Sequence, residues 1–310
     1  MRIAFLFPGQ GSQTIGMGKD IYENYEEARQ IYEKVKEITG IDIAKISFEG
    51  PEEILNQTKY TQLAILTMSL AIVEVLNNHK INAELSTGLS LGEYSALIYS
   101  NALDFEEGIK LVQKRGEFMQ NLVPDGEWLM SAIIGMDEKQ VQEVCSKVQE
   151  GFVVPANFNS SSQIVISGER KAVEDGAKIA KEMGAKKAIV LKTAGPFHTE
   201  KLIDSSEALR KELDSVEFRG FKTKVIKNID GDFYKESDNI KDILAKHIIS
   251  PVRFDKSINT MINEGIDTFI EIGPGKTLSG FVRKTPTEKE ITVLNINNVE
   301  SLENVIENVR

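Results

Sequence analysis

The stretch Gly88-Leu89-Ser90-Leu91-Gly92 constrains the fold more than any other part of this 310-residue chain. A short extended run at 83–87 precedes it and a helical pattern at 91–97 follows it, so the sequence predicts a strand, a tight turn and a helix. The two glycines leave room for a turn that pushes the Ser90 hydroxyl out of the backbone, as in a nucleophile elbow. A buried serine in an ordinary glycine turn would have the same pattern.

Strand and helix patterns alternate along most of the chain, which predicts an α/β fold with a mostly parallel sheet and helices on both faces. The strands are expected at 2–7, 83–87, 224–229, 268–272 and 291–296, and helices at 22–39, 61–76, 105–121, 199–213, 240–249 and 277–283. The middle of the chain has another rhythm, with strands at 128–135, 152–159, 163–168 and 187–193 and helices at 137–148 and 169–183. This βαββαβ order is the ferredoxin-like split motif. We therefore predict one large domain of residues 1–125 and 195–310, with a small inserted domain at 126–194.

The composition excludes several classes of protein. A net charge of −10 argues against broad nucleic-acid binding. The single cysteine, Cys145, cannot form an internal disulfide, which fits a reducing cytoplasm. The first apolar run ends at Pro8 and is too short for a signal peptide. The longest, at 63–76, falls short of the ~20 residues of a membrane span, so we expect a buried helix, no membrane segment and a cytoplasmic protein.

An activated serine needs a general base, and the chain has three histidines. His79 lies in a polar loop, His247 lies in a predicted helix, and His198 lies in a turn that opens a helix. The positive end of that helix would favour a neutral imidazole at His198, which could accept the serine proton. No acidic residue stands in an obvious loop ahead of His198, so a backbone carbonyl could orient the ring instead. A structural capping role is the alternative for this histidine.

Seven blocks of sequence resemble the malonyl-CoA:acyl carrier protein transacylases of fatty-acid synthesis, and the likeness covers the whole chain. The blocks are residues 7–13 (FPGQGSQ), 91–97 (LGEYSAL), 115–120 (RGEFMQ), 156–160 (ANFNS), 195–198 (GPFH), 250–253 (SPVR) and 271–276 (EIGPGK). The resemblance implies a hydrolase-like α/β domain with a ferredoxin-like insertion. It also implies malonyl-CoA and acyl carrier protein as partners, with no further cofactor and no metal.

The family's site residues are carried over onto matching positions of this chain. The roles implied are the nucleophile at Ser90, the base at His198, oxyanion-hole N–H groups at Gln10 and Leu91, a carboxylate-binding guanidinium at Arg115, and a histidine-orienting main-chain carbonyl at His247. Phe197, beside the base, would crowd a 2-methyl group on the substrate, although simple core packing also explains it. Arg115 could instead be a surface arginine of its helix.

The chain departs from the family's pattern in three places. Leu89 stands where the family has histidine before the nucleophile, so recognition of the substrate carboxylate would depend more on Arg115. His247 stands where glutamine is common, which leaves a main-chain role intact. Ser161-Ser162 replaces a frequent Pro-Gly and is expected to alter only a hairpin turn.

Three functions stay open beside malonyl transfer for fatty-acid elongation. A trans-acting acyltransferase of a polyketide synthase would share every catalytic residue. A thioesterase or esterase would need water at the acyl-serine and has no use for Arg115. A non-catalytic module that docks a carrier protein would not acylate Ser90. Four lysines, Lys186, Lys187, Lys192 and Lys201, could supply a docking patch for an acidic protein, or could be scattered and solvated.

Overall fold

The computed structural model describes residues 1–191 and 195–309. In chain order the described elements are β1 (Ile3–Phe7), α1 (Lys19–Asn24), α2 (Glu26–Thr39), α3 (Ile43–Glu49), α4 (Glu52–Leu55), α5 (Thr58–Asn78), β2 (Leu85–Gly88), α6 (Gly92–Tyr99), α7 (Phe105–Asn121), β3 (Trp128–Ile134), α8 (Glu138–Ser146), β4 (Val153–Ser160), β5 (Gln163–Glu169), α9 (Arg170–Glu182), β6 (Lys187–Val190), a 3-10 turn (Glu200–Leu202), α10 (Ile203–Leu213), β7 (Lys224–Val225), α11 (Ile240–Ile248), α12 (Phe254–Asn263), β8 (Thr268–Ile272), α13 (Thr277–Lys284), β9 (Thr292–Ile296) and α14 (Val299–Asn308).

A five-stranded sheet in the order β7-β2-β1-β8-β9 forms the centre of the molecule. Every neighbouring pair in it is parallel, which confirms the predicted α/β class. The central strand β1 is buried along Ala4, Phe5, Leu6 and Phe7, as expected for a parallel strand covered on both faces. The strands β1 and β2 end at the same edge of the sheet, where open α/β sheets bind their ligands.

A second sheet is antiparallel and has the order β4-β5-β3-β6. Helices α8 and α9 pack on it, and residues such as Ile133, Val141, Ile166 and Val173 share one apolar cluster between helices and sheet. The βαββαβ order and the antiparallel pairing agree with the predicted ferredoxin-like insertion. The domain boundaries at 126 and 194 stay a prediction, and the end of the predicted strand 187–193 falls partly outside the described residues.

Helix α5 is the buried helix that the apolar run predicted, but it is longer than expected. It spans 21 residues, so of the residues described it alone is long and apolar enough to cross a membrane by length and composition. In the protein, however, 83% of its most apolar window is buried, as in the core helix of a folded domain.

Several predicted helices and strands have other bounds in the structure. The helix predicted at 22–39 is two helices, because Tyr25 adopts an extended conformation (φ −123°, ψ 116°) between them. The strand predicted at 224–229 keeps only Lys224 and Val225, because the chain then turns and the Lys227 N–H donates to the carbonyl of Asp232. Helices α3, α4 and α12 were not predicted.

Residues just after α11 join the two sheets. The backbone of Val252 donates to the carbonyl of Ala156 (2.9 Å) and accepts from the N–H of Phe158 (2.8 Å), both on β4. Next to it, the Arg253 guanidinium lies 2.9 Å from Glu138 on α8 and 4.1 Å from the centre of the Phe158 ring. The antiparallel sheet is therefore fixed to the large domain by main-chain and charged contacts at one place.

Replacing Arg253 by alanine should lower the free energy of unfolding by about 2 kcal/mol, a value between those of exposed and buried ion pairs. Its side chain is 14% exposed and also pairs with Asp255. Arg219→Ala is the matched control, because that side chain is 55% exposed with Asp104 as its ion-pair partner, and should cost less than about 0.5 kcal/mol. Urea denaturation measures both, and equal losses would contradict this assignment.

Candidate active site

Ser90 lies in a strained turn between β2 and α6. Its φ of 54° is in the left-handed region, which a non-glycine residue rarely adopts. A Cβ on Gly88 would lie 2.0 Å from the backbone of Gly92, and one on Gly92 would lie 2.0 Å from the carbonyl oxygen of Phe7. Only glycine fits at these two positions, so the pattern of two glycines is required by the close approach of α6 to β1 and β2.

The imidazole of His198 lies against the Ser90 hydroxyl. Its Nε2 is 2.8 Å from Ser90 Oγ, and its Nδ1 is 3.0 Å from the main-chain oxygen of His247. Because a carbonyl oxygen only accepts, Nδ1 carries the hydrogen and donates it. In a neutral ring Nε2 is then left as an acceptor facing the serine O–H. Ser90 and His198 together are called the dyad below.

Burial keeps the imidazole of the dyad neutral. Only 4% of His198 is exposed, and loss of solvation is the main reason that its pKa is well below 6.5; the nearby charges of His247 and Arg115 lower the pKa further. The hydrogen bond to the His247 carbonyl opposes the shift. The imidazole is thus neutral, as the sequence predicts, but burial is the cause. The helix dipole is not, because the segment after His198 begins with a 3-10 turn of only three residues.

Arg115 is fully buried, so it is not a surface arginine of α7. Its Nη1 donates to Gln62 Oε1 (2.6 Å) on α5 and its Nη2 donates to Ser90 Oγ (3.1 Å). The guanidinium also lies 5.2 Å from the centre of the Tyr94 ring. Among the ion pairs of the described residues, none pairs Arg115 with a carboxylate. Among the described residues, this buried guanidinium beside the dyad thus has no carboxylate in ion-pair contact, and the charge of Glu93 acts on it only from farther away.

A cavity of about 490 Å³ opens over the dyad between the two sheets. Its walls include the expected site residues Gln10, Leu91 and Phe197, together with Ser90 and His198. Leu91 directly precedes α6 and already has helical geometry (φ −50°, ψ −40°), so its N–H lies at the open N-terminal end of that helix.

This chain is similar in sequence to proteins of a known family. The family model of the acyl transferase domain matches residues 4–309. A malonyl CoA-acyl carrier protein transacylase of Bacillus subtilis is 43% identical over 311 residues, covering 100% of this chain and 98% of the relative. The chain belongs to the malonyl CoA-acyl carrier protein transacylase family of acyl transferases.

Solved structures of the family have the same fold as this acyl transferase. One from Clostridium perfringens, named a malonyl CoA-acyl carrier protein transacylase, superposes with a TM-score of 0.94 at 44% identity, covering 100% of this chain and 98% of that one. Another, of a type II polyketide acyl-carrier protein in complex with its malonyl-transacylase, has a TM-score of 0.94 at 34% identity, covering 99% of this chain and 100% of that one.

Two polar residues of the transferase support the site and were not found by sequence reasoning. Asn228 accepts from the Ser90 N–H (2.7 Å) and donates to the Gly88 carbonyl (2.6 Å), so it fixes both sides of the elbow. Gln62 orients Arg115. The sequence offered two signals. Asn228 is a polar residue at the end of a predicted strand, and Gln62 is a glutamine at the start of a long apolar helix.

Other residues considered from the sequence lie away from this chemistry. Burial raises the pKa of the Cys145 thiol to about 12, so it is protonated and not a nucleophile. Lys186 and Lys187 are exposed, Lys201 is half-buried against the Phe152 ring, and Lys192 lies outside the described residues. Among residues 1–191 and 195–309, no group of three or more His, Cys, Asp or Glu side chains could hold a metal.

The lowered pKa of His198 predicts the pH dependence of Ser90 acylation. The base works only when neutral, so the rate should stay level as the pH falls through 6.5 and decline only in more acidic solution. Single-turnover acylation by malonyl-CoA between about pH 5 and 8 measures this. A decline centred at or above 6.5 would show that burial does not depress the pKa of His198.

Proposed function

We propose that this protein transfers the malonyl group of malonyl-CoA to the phosphopantetheine thiol of an acyl carrier protein, through a malonyl ester of Ser90. The observation that carries the proposal is the buried guanidinium of Arg115, which has no carboxylate partner and lies 3.1 Å from the serine oxygen. A substrate carboxylate bound there would supply the missing anion and bring a thioester carbonyl near Ser90.

The proposed chemistry has two similar halves. His198 Nε2 takes the proton of Ser90 as Oγ attacks the thioester carbon, and the N–H groups of Gln10 and Leu91 hold the oxyanion. A donor in such a hole is typically worth ~3 kcal/mol. The carbon–sulfur bond then breaks, and coenzyme A leaves as a thiol with the proton from His198. The carrier-protein thiol repeats these steps in reverse and releases Ser90, so the reaction requires no cofactor.

Arg115 and Phe197 would select the acyl group. Two parallel N–H donors of an arginine match a carboxylate in geometry and charge. Phe197 is 5% exposed on the cavity wall next to the base, where it would crowd a 2-methyl substituent. Leu89, which also lines the cavity, offers no polar group to the carboxylate and leaves its recognition to Arg115.

Mixing the protein with malonyl-CoA should add one malonyl group to the peptide that contains Ser90. Mass spectrometry of the intact protein and of its peptides measures the adduct, and Ser90→Ala should abolish it. Adding holo acyl carrier protein should remove the label and malonylate the carrier. Absence of a Ser90 adduct in the wild type would contradict the proposal and favour a non-catalytic docking module.

Arg115→Ala should narrow the preference for malonyl-CoA over acetyl-CoA. A hydrogen bond to a charged group contributes about 1.5–3 kcal/mol, which corresponds to roughly 10- to 150-fold in the ratio of kcat/KM values. Arg219→Ala, which changes an exposed arginine, should leave the ratio unchanged. An unaltered ratio in Arg115→Ala would remove this residue from substrate recognition.

Rate measurements distinguish the proposed function from two alternatives, a thioesterase and an acyltransferase of polyketide synthesis. A thioesterase would release coenzyme A from malonyl-CoA in repeated turnovers without carrier protein, whereas a transferase needs the carrier after the first turnover. The family resemblance favours fatty-acid elongation in the cytoplasm. The structural likeness to a malonyl-transacylase in complex with a polyketide carrier protein supports polyketide synthesis as the second candidate, and rates with the two kinds of carrier protein distinguish them.

A further inference from the structure

A buried carboxylate lies directly behind the dyad. Glu93 is in the first turn of α6 and is fully buried. It accepts hydrogen bonds from the Tyr234 hydroxyl and from the Asn228 N–H at 3.3 Å. Its Oε2 also lies 3.1 Å from Nδ1 of His247. A carboxylate at such a depth is costly unless it is paired, and none of the steps described above uses it.

This carboxylate connects the supports of both dyad residues. Asn228, which donates its N–H to Glu93, holds the Ser90 N–H through its side chain. His247, whose ring faces Glu93, holds the Nδ1–H of His198 through its main-chain oxygen. Movement of Glu93 would therefore disturb the nucleophile and the base together.

The side chain of His247 is packed between Glu93 and the base. Neither nitrogen of the His247 ring makes a hydrogen bond of good geometry, although the ring is only 1% exposed. The ring centre lies 5.0 Å from that of His198, with an angle of 32° between the planes. The other titratable groups around this pair are Arg115, which acts on His198, Tyr234, which is bonded to Glu93, and Tyr94, which acts on Glu93. The His247 ring therefore lies against both the buried carboxylate and the ring of the base.

We infer that Glu93 and the side chain of His247 are positioning residues for the proposed transfer, holding Ser90 and His198 in register and tuning the base through the His247 ring. The inference rests on the proposed function for its substrate, but the arrangement itself concerns only the dyad. The nearby charge of His247 is one of the causes that lower the pKa of His198, which agrees with this role.

A fluorophosphonate tests the dyad without any malonyl group. Ser90 Oγ forms a bond to phosphorus, fluoride leaves, and His198 takes the serine proton, so the labelling rate reports on these two residues. In His247→Gln the main-chain carbonyl stays, and the imidazole that lowers the pKa of His198 is removed. The acid limb of the labelling rate should therefore move to higher pH.

Glu93→Gln keeps the shape and removes the carboxylate charge. It should lower the maximal labelling rate roughly 10-fold or more, with the half-saturating probe concentration unchanged, because misplaced reacting groups can cost up to about 10²-fold. If this variant does not fold, Tyr234→Phe removes one hydrogen bond to the same carboxylate and takes its place. Glu271→Gln is the control, since Glu271 is also fully buried but accepts from Leu278 and Ser279 at the start of α13.

Both results together support the inference. The inference would be overturned if the acid limb of the labelling rate did not move in His247→Gln, or if it moved equally in Glu271→Gln. A maximal labelling rate unchanged in the Glu93 variant would also overturn it. The wild type reacting with the fluorophosphonate but not with malonyl-CoA would instead contradict the proposed function and leave this comparison valid.

Discussion

The close approach of α6 to the ends of β1 and β2 is the constraint on which the site depends. It requires glycine at positions 88 and 92, because any side chain there would overlap backbone atoms about 2 Å away. The approach in turn imposes a left-handed conformation on Ser90. Strain of this kind persists only where surrounding contacts fix it, and Asn228 supplies two of those contacts.

Charge is concentrated where water is excluded. Arg115 and Glu93 are fully buried, and His198 and His247 are nearly so. All four lie near Ser90 in space. Burial lowers the pKa of the Arg115 guanidinium and of the His198 imidazole. Stability alone does not explain such a cluster, since apolar residues of similar volume are often as stable or more so. The cluster fits a site in which charges must be held before the substrate arrives.

Much of this fold follows from local sequence patterns. Helix α7 has the predicted bounds, and α8 begins at Glu138, within one residue of its predicted start. Ser90 and His198 could be found because motifs and the scarcity of histidine narrow the choice. Gln62, Glu93 and Asn228 could not be found in this way, because their roles arise from contacts across distant parts of the chain. The strand predicted at 224–229 was too long for a local reason, because a turn closed by the Lys227 N–H and the Asp232 carbonyl ends β7 at Val225.

The seven residues from His247 to Arg253 perform two tasks at once. At one end a carbonyl orients the imidazole of His198, and at the other Val252 extends the pairing of β4 and Arg253 reaches α8. The antiparallel sheet forms a wall of the cavity through Asn157 and Asn159 of β4. A displacement of that wall would therefore be transmitted through this short segment to the imidazole of the proposed base.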